Sequence, residues 1–257
     1  MHEELYEQVR KRPGMFFGSS ALRGLHFAII DLILYCIDKD KKSISITING
    51  ADIIIKHEGE MLEASYCTDI VKAACKTFVY ENNKFQLCFD NSVFDTSEPN
   101  IDALFDRLRE LAFLNKHLSI TLNKYTFFYE NGLNDFFDYL QDKAGRYWIS
   151  KHAPVGFHAE DEGVEFDVLF ASVCSSFESS IISYANNHRT EDNGVHVDGF
   201  VRGLKSVLTG YKPHMCEHMT SLKDVDIGLI MHVKALNLQY SGATKESLQI
   251  VKSINSF

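Results

Sequence analysis

The sequence predicts an α+β protein built from two successive domains, and three observations support this. Residues 22–38 carry apolar side chains at helical spacing, which is typical of a helix buried against a sheet. Residues 43–48 (SISITI) alternate with period two, and Asn49-Gly50 leads to a second apolar run at 53–55, as in a β-hairpin. A second series of strand and helix patterns begins near residue 142. We therefore place the domains at residues 1–141 and 142–257.

The first domain continues with alternating helix and strand patterns. After the hairpin we expect a helix, a second hairpin turning at Asn82-Asn83, an amphipathic helix, two strands and a short helix with an aromatic face. These elements are predicted, in that order, at residues 69–76, 77–80 with 85–89, 100–114, 118–122, 125–129 and 134–141.

The second domain shows longer apolar runs. Residues 164–173 and 177–184 have the composition of strands, and we expect them to pair with each other. Residues 194–209 have helical spacing, and residues 227–236 are apolar enough for a central strand. Residues 245–255 are expected to close the chain with a helix.

Composition limits the class of protein. The 257 residues include 26 Lys+Arg and 35 Asp+Glu, giving a net charge of −9, and neither half is basic. Strong autonomous binding to DNA is therefore not expected. The six cysteines form no CxxC pair, the N-terminus is too polar for a signal peptide, and the longest apolar run is too short to cross a bilayer. We therefore expect a reduced cytoplasmic protein without membrane contact.

Several strings, taken in order, resemble the ATPase and transducer region of the DNA gyrase B subunit and its topoisomerase IV counterpart, within the GHKL ATPase superfamily. They are VRKRPGMFFG (9–18), LRELAFLN (108–115), YENGLNDFFDYL (129–140), SYANNHRTEDNGVHVDGF (183–200), DVDIGLIMHVKAL (224–236) and YSGATKESL (240–248). The resemblance implies a GHKL-type (Bergerat) α/β sandwich followed by a smaller transducer domain like the ribosomal protein S5 domain 2 fold. We find none of the later topoisomerase domains in this sequence, and the chain alone is not expected to cut or pass DNA.

The resemblance also implies where the catalytic groups belong. The family has a glutamate general base and a Mg²⁺-binding asparagine four residues apart on the helix after the GLH motif. Counted from Gly24-Leu25-His26, these positions hold Asp31 and Tyr35. Asp31 is one methylene shorter than glutamate, and the neutral phenol of Tyr35 is a poor Mg²⁺ ligand. The alternative is structural, with Asp31 a partly satisfied carboxylate and Tyr35 a packing residue.

The adenine-binding motif is changed as well. His57 occupies the position of the family aspartate that accepts the adenine amino group, while Gly59 is kept and Met61 replaces the second glycine. A neutral histidine can accept one hydrogen bond but cannot bridge an amine and a water as a carboxylate does. A histidine in a surface turn is the favoured alternative for His57.

The glycine-rich lid whose N–H groups hold the phosphates has no counterpart here. Residues 60–69 (EMLEASYCTD) contain no glycine, and a predicted helix follows at once. Losing three charged hydrogen bonds would cost roughly 4.5–9 kcal/mol, or about 10³- to 10⁶-fold in affinity. Only eight residues precede Val9, too few for the family's dimer-swapping arm, and of the transducer QTK motif only Lys245 remains.

Two further clusters have structural interpretations. His214, Cys216 and His218 (HMCEH) are interpreted as a surface linker in preference to a soft-metal site, so no metal centre is predicted. The basic run 10–12 is expected to cap and solvate the first helix. Asn186 and Asn187 are expected to hold an interdomain loop through side-chain to backbone bonds.

Three functional hypotheses remain. The first is a gyrase-B-like protein that binds neither ATP nor Mg²⁺ normally and acts by binding a protein, with gyrase or a topoisomerase subunit as candidate partner. The alternative is a functional ATP-dependent topoisomerase B-subunit fragment that assists DNA supercoiling with a partner subunit. The third, a nucleic-acid-binding module on the transducer surface, is opposed by the acidic charge. The oligomeric state stays open.

Overall fold

The computed structural model describes residues 3–144, 152–173, 181–211, 222, 226–241 and 245–250. The chain divides into two compact units, Met1–Glu130 and Asn131–Phe257, each with its own sheet. The predicted α+β class is confirmed. The domain limits at residues 1–141 and 142–257 stay a sequence-based prediction.

The first unit is a six-stranded sheet with helices. Its strand order is β3-β4-β2-β1-β5-β6, with β1 and β5 parallel and the other neighbours antiparallel. The elements are α1 (Glu3–Lys11), α2 (Pro13–Phe17), α3 (Leu22–Asp38), β1 (Ser43–Asn49), β2 (Asp52–His57), α4 (Tyr66–Ala73), β3 (Cys75–Glu81), β4 (Lys84–Phe89), α5 (Ile101–Leu114), β5 (Ser119–Leu122) and β6 (Tyr125–Phe127).

The core of the first unit forms where the sequence periodicity predicts it. The apolar stripe of α3 is buried, as are alternate residues of β1 and β2. Both predicted hairpins are confirmed. Asn82 and Asn83 have φ of 51° and 58°, the left-handed values that a tight two-residue hairpin turn needs, and asparagine tolerates them better than most residues.

The guanidinium of Arg10 fastens α1 to the end of the sheet. It donates to the Asp90 carboxylate, to Ser92 Oγ at 2.7 Å and to the Ala73 carbonyl at 3.1 Å. The Arg10 and Asp90 side chains are only 24% and 25% exposed, so Arg10 is not the solvated residue expected from the sequence. The hydrogen bond from Arg10 lowers the pKa of Asp90 to about 2.

The second unit contains a five-stranded sheet in the order β10-β9-β11-β8-β7 and a small β12-β13 pair. Its elements are α6 (Leu133–Ala144), β7 (Val155–Asp161), β8 (Val164–Ser172), β9 (Ile181–Ala185), β10 (His188–Arg189), α7 (Val195–Tyr211), β11 (Ile227–Ala235), β12 (Gln239–Ser241) and β13 (Ser247–Ile250). The central position predicted for residues 227–236 is confirmed for β11.

Two strand-level predictions for this unit are wrong. β8 and β9 do not pair, because β11 lies between them, antiparallel to β8 and parallel to β9. The closing helix is wrong over its described part, since Lys245 has φ of 59° and residues 247–250 form β13. Residues 251–255 of that prediction lie outside the described residues. The edge strand β7 was not predicted.

The loop before α7 explains why β13 is a strand. The N–H of Leu248 donates to the Asn193 carbonyl at 3.1 Å, and Gly194 forms a parallel bridge to Leu248. Gly194 has φ of 135°, and a Cβ there would lie 2.2 Å from the Leu248 carbonyl oxygen. Only glycine permits this approach. The close backbone contact fixes residues 247–250 in an extended conformation.

Asn186 and Asn187 form the two-residue turn between β9 and β10, both with positive φ. The side-chain amide of Asn186 bonds both backbone groups of Ala235, at 2.7 and 2.9 Å. The predicted side-chain to backbone bonding is confirmed for Asn186. Its predicted place between domains is wrong, because the turn and Ala235 both lie within the second unit.

We predict that Arg10→Ala lowers the free energy of unfolding by about 1–2 kcal/mol, since it removes charged hydrogen bonds that are only partly exposed. The ordinary pKa of Asp90 is 3.8 and its folded pKa is about 2, so its stabilising contribution is complete above pH ~4 and is lost as pH falls toward 2. Urea denaturation at pH 7 and pH 3 measures both effects.

The exposed Arg12 provides a matched control, and Arg12→Ala should leave the urea midpoint unchanged. Equal midpoints for the Arg10 and Arg12 variants at pH 7 would show that the Arg10 contacts add no stability.

Candidate functional site

The candidate site lies in the first unit, on α3 and around the end of β2. Asp31 and Tyr35 are one turn apart on α3, so they share a face of the helix, and both are half-buried. The Tyr35 hydroxyl donates to the Glu63 carbonyl at 2.7 Å. Its ring packs against the core, with Lys39 Nζ 6.0 Å from the ring centroid. At the position where the resemblance implies a metal ligand, the Tyr35 side chain is therefore bonded to the protein's own backbone.

His57 ends strand β2 and is only 5% exposed, so the prediction of a surface turn is wrong. Strand pairing continues to this residue, where the His57 N–H also donates to the Asn83 carbonyl at 3.1 Å. The imidazole Nε2 is 2.8 Å from Tyr80 Oη, and Nδ1 is 3.3 Å from the Glu58 carbonyl. Burial lowers the pKa of His57 from its ordinary value of 6.5, which favours the neutral ring.

The Tyr80 hydroxyl links His57 to the segment beyond β2. Tyr80 Oη accepts the Leu62 N–H at 2.8 Å. Its own proton is then available for His57 Nε2, which leaves the Nδ1–H of His57 to donate to the Glu58 carbonyl. This tautomer follows from the bonding network and uses both ring nitrogens.

We call residues 58–65 the closing segment, since these eight residues run directly from the end of β2 to the start of α4. Besides its bonds to Tyr35 and Tyr80, the segment is held through two further carbonyls. Lys41 Nζ donates to the Glu60 carbonyl at 2.6 Å, and Asn83 Nδ2 donates to the Gly59 carbonyl. Gly59 has φ of 90°, a conformation that requires glycine. The retained glycine thus forms a turn in this segment.

The ends of the closing segment are also fixed. Leu62 is 8% exposed and belongs to the core, whereas Met61 is 62% exposed. Ser65 caps α4: its hydroxyl accepts the Thr68 N–H, and Thr68 Oγ1 accepts the Ser65 N–H. Such a reciprocal box defines the start of a helix. The closing segment therefore leads directly into the first turn of α4.

The GLH residues before Asp31 have structural contacts. A Cβ on Gly24 would lie 1.9 Å from the Ser19 carbonyl oxygen, so α3 and the preceding turn approach too closely for a side chain. His26 Nε2 accepts the Asn100 N–H at 2.9 Å, at the residue that caps α5. Burial lowers the pKa of His26, consistent with a neutral acceptor.

Lys245 lies in the second unit. Its Nζ donates to His188 Nε2 at 2.7 Å and lies 5.8 Å from the Tyr240 ring centroid. His188 is 8% exposed. Lys245 is therefore held by His188 and Tyr240 of its own unit.

Sequence reasoning missed three residues that complete the site, namely Lys41, Tyr80 and Asn83. They belong to no motif, and they come from the chain before β1, from β3 and from the turn after β3. The predicted strand at residues 77–80 includes Tyr80 but does not identify the segment that Tyr80 contacts. The HMCEH cluster lies outside the described residues. Within the described ranges there is no group of three His, Cys, Asp or Glu side chains placed to hold a metal ion, and none of the helices there combines the length and hydrophobicity that a membrane span requires.

Comparison with known proteins confirms the resemblance. Residues 132–254 match the family model of DNA gyrase B. The chloroplastic/mitochondrial DNA gyrase B subunit of Oryza sativa is 25% identical, over 95% of this chain and 46% of the relative. The DNA topoisomerase 4 B subunit of Staphylococcus aureus is 26% identical, over 94% and 49%. The chain thus spans about half the length of these curated relatives.

The fold is shared with solved structures. The B-subunit of the DNA gyrase from Myxococcus xanthus superposes with a TM-score of 0.80 at 16% identity, over 97% of this chain and 91% of that one. The 43K ATPase domain of Thermus thermophilus gyrase B gives 0.73 at 16% identity, over 95% and 84%. The fold expected from the family resemblance is confirmed.

The alignment with the rice relative also shows a difference in length. It runs over 344 positions, while 95% of this 257-residue chain is about 244 residues. About 100 aligned positions therefore have no counterpart in this chain. The chain keeps the gyrase B-type fold with fewer residues.

We predict that Tyr80→Phe lowers the free energy of unfolding by about 1–3 kcal/mol, because it removes the acceptor of the buried Leu62 N–H and the partner of His57 Nε2. Chemical denaturation measures the loss. Tyr66→Phe is the matched control, since Tyr66 is 66% exposed, and should change stability little. A Tyr80→Phe variant as stable as the control would mean that the hydroxyl does not hold the closing segment.

Proposed function

We propose that this gyrase-B-like chain neither binds nor hydrolyses ATP in the ordinary way and acts by binding a protein partner. The observation that carries the proposal is the closing segment. Where the family resemblance calls for a long glycine-rich lid, eight residues join β2 to α4, and their backbone groups bond to Tyr35, Lys41, Tyr80 and Asn83.

The residues at the metal position do not fit Mg²⁺. This ion prefers charged or carbonyl oxygens in near-octahedral geometry. Tyr35 offers a neutral phenol whose proton is donated to the Glu63 carbonyl. Asp31 remains at the general-base position, one methylene shorter than the family glutamate. No hydrolytic step is assigned to it.

The adenine position is likewise occupied. Specific adenine binding in the family needs an acceptor for the exocyclic amine, and His57 is the residue at that position. Its Nε2 is bonded to Tyr80 and its Nδ1–H points to the Glu58 carbonyl. An adenine amine that donates to His57 Nε2 would have to displace the Tyr80 hydroxyl from it. Loss of buried hydrogen bonds of this kind costs about 1–3 kcal/mol each.

The phosphate-binding groups are missing or engaged. Backbone N–H groups of a glycine-rich loop are the usual phosphate ligands, and the only glycine of the closing segment, Gly59, is used for a turn. Lys245, the retained lysine of the transducer motif, bonds His188 in its own unit. Its release would leave a nearly buried histidine without this donor.

A protein partner is the remaining route to function. The relatives are named as subunits of gyrase and topoisomerase 4, so subunits of these assemblies are the candidate partners. The net charge of −9 opposes autonomous DNA binding. We place this activity in the cytoplasm, with a degenerate ATPase domain at residues 1–141 and a transducer-like domain at 142–257.

We predict no heat of binding when Mg-ATP or a non-hydrolysable analogue is titrated into the protein in a calorimeter. The ligand concentration should reach roughly 1 mM, where a binding free energy of only about 4 kcal/mol would still be detected. We also expect the same background phosphate release from wild type and from Asp31→Ala. A micromolar dissociation constant, together with turnover that Asp31→Ala abolishes, would instead establish the alternative, a functional topoisomerase B-subunit fragment.

We predict that purified gyrase or topoisomerase 4 subunits bind the chain in calorimetry without nucleotide, and that Asp31→Ala binds equally well because the interaction does not use the nucleotide site. Adding Mg-ATP should leave the affinity unchanged. Absence of heat with every one of these subunits would remove the partner assignment while leaving the nucleotide result intact.

A further inference from the structure

Strand β7 is an exposed edge of the second unit's sheet. All seven of its residues are exposed, and among the described residues it pairs on one side only, with β8. Val155 and Phe157 are 56% and 47% exposed, although they lie on a strand of a packed sheet. The outer side of an edge strand presents unpaired backbone N–H and C=O groups, which can pair with another strand.

The other edges of the two large sheets carry features that oppose strand addition. β6 and β10 have three and two residues. β3 is long but begins with a register shift between Cys75 and Thr77, where Lys76 lies. Short strands, bulges and lysines are the usual protection of sheet edges. β7 pairs in continuous register from Val155 to Asp161 and contains no lysine, arginine or proline.

One face of β7 continues the apolar face of β8. Val155, Phe157 and Ala159 pair with Phe170, Val168 and Phe166, and directly paired residues project to the same face. Val168 is buried in the core of the second unit, and Phe166 and Phe170 are partly buried and pack against that core. Phe170 meets Phe200 of α7 at 5.5 Å between ring centroids. The apolar layer therefore extends past the last covered strand to Val155 and Phe157.

We propose that a second copy of this chain adds to β7 as an antiparallel strand, with a two-fold axis at Phe157. This register sets Phe157 opposite Phe157 of the second copy and Val155 opposite Ala159 of the second copy. Apolar residues then face apolar residues, and the two core layers join on one side of a continuous ten-stranded sheet. Aromatic and β-branched cross-strand pairs of this type stabilise sheets.

Charge favours this register over the neighbouring ones. Gly156 faces His158 of the second copy, so no two charged residues are opposed within residues 155–159. Glu160 and Asp161 of the two copies lie at opposite ends of the paired strands. The side chain of His158 is bonded to Asp167 at 2.9 Å on its own sheet, which directs it along the other face. The contact is thus self-complementary.

The dimer should be weak and sensitive to salt. A single strand pair buries less surface than the roughly 1,200 Å² buried by stable interfaces. We therefore expect a dissociation constant of about 10–100 μM. Each copy carries a net charge of −9, so the copies repel at low ionic strength. Added salt should strengthen the self-association, whereas it would weaken binding of a basic extended peptide to the same edge.

Sedimentation equilibrium on the full chain tests the proposal. The wild type should shift from monomer to dimer with concentration, and more strongly at high salt. Phe157→Glu places like charges opposite each other on the axis and should weaken dimerisation by at least ~10-fold. Val207→Glu is the matched control, since Val207 is also apolar, 59% exposed and in the same unit, and it should dimerise as wild type does.

Cross-linking tests the register separately from stability. Under mild oxidation Phe157→Cys should give a disulfide-linked dimer, because the two residues are directly opposed, whereas Glu160→Cys and the wild type should not. A wild type that stays monomeric above ~300 μM at high salt overturns the proposal. So does a dimer that Phe157→Glu leaves intact, or one that Glu160→Cys traps as efficiently as Phe157→Cys.

Discussion

The hydroxyl of Tyr80 is the interaction on which the rest of the first unit's site depends. It binds the imidazole of His57 on one side and the backbone of Leu62 on the other. The Tyr80 ring stacks on Phe85, a fully buried core residue, at 4.2 Å between ring centroids. The position of the oxygen is therefore set by the sheet itself. A backbone N–H removed from water must find an acceptor, and this oxygen provides it for the closing segment.

The fold around the candidate site is held by contacts within the protein. The sheet, α3 and the GLH turn are held by burial and by close approaches such as Gly24 against Ser19, and none of these needs a nucleotide. Tyr35 and His57, two of the positions singled out by the family resemblance, each take a partner from the protein backbone or from another side chain. These bonds stabilise the first unit around the closing segment.

Local patterns predicted much of this fold. The periodicity of α3, the alternation of β1 and the Asn82-Asn83 turn are local properties, and each gave the observed element. The motifs in order predicted the architecture. The tethers of the closing segment were not predicted, because Lys41, Tyr80 and Asn83 are brought to it only by sheet pairing. β13 was mistaken for a helix, since its conformation depends on a backbone bridge to Gly194. β7 was missed because both its faces are exposed.

The closing segment also has a consequence for motion. Its four hydrogen-bonding partners come from α3, the chain before β1, β3 and the following turn, so no single hinge can release it. Opening requires these bonds to break together, along with removal of Leu62 from the core. A lid normally belongs to the least stable part of a protein, whereas this segment is joined to the core through Leu62. The amide proton of Leu62, whose acceptor is the Tyr80 hydroxyl, should therefore exchange with solvent only when the segment leaves the core.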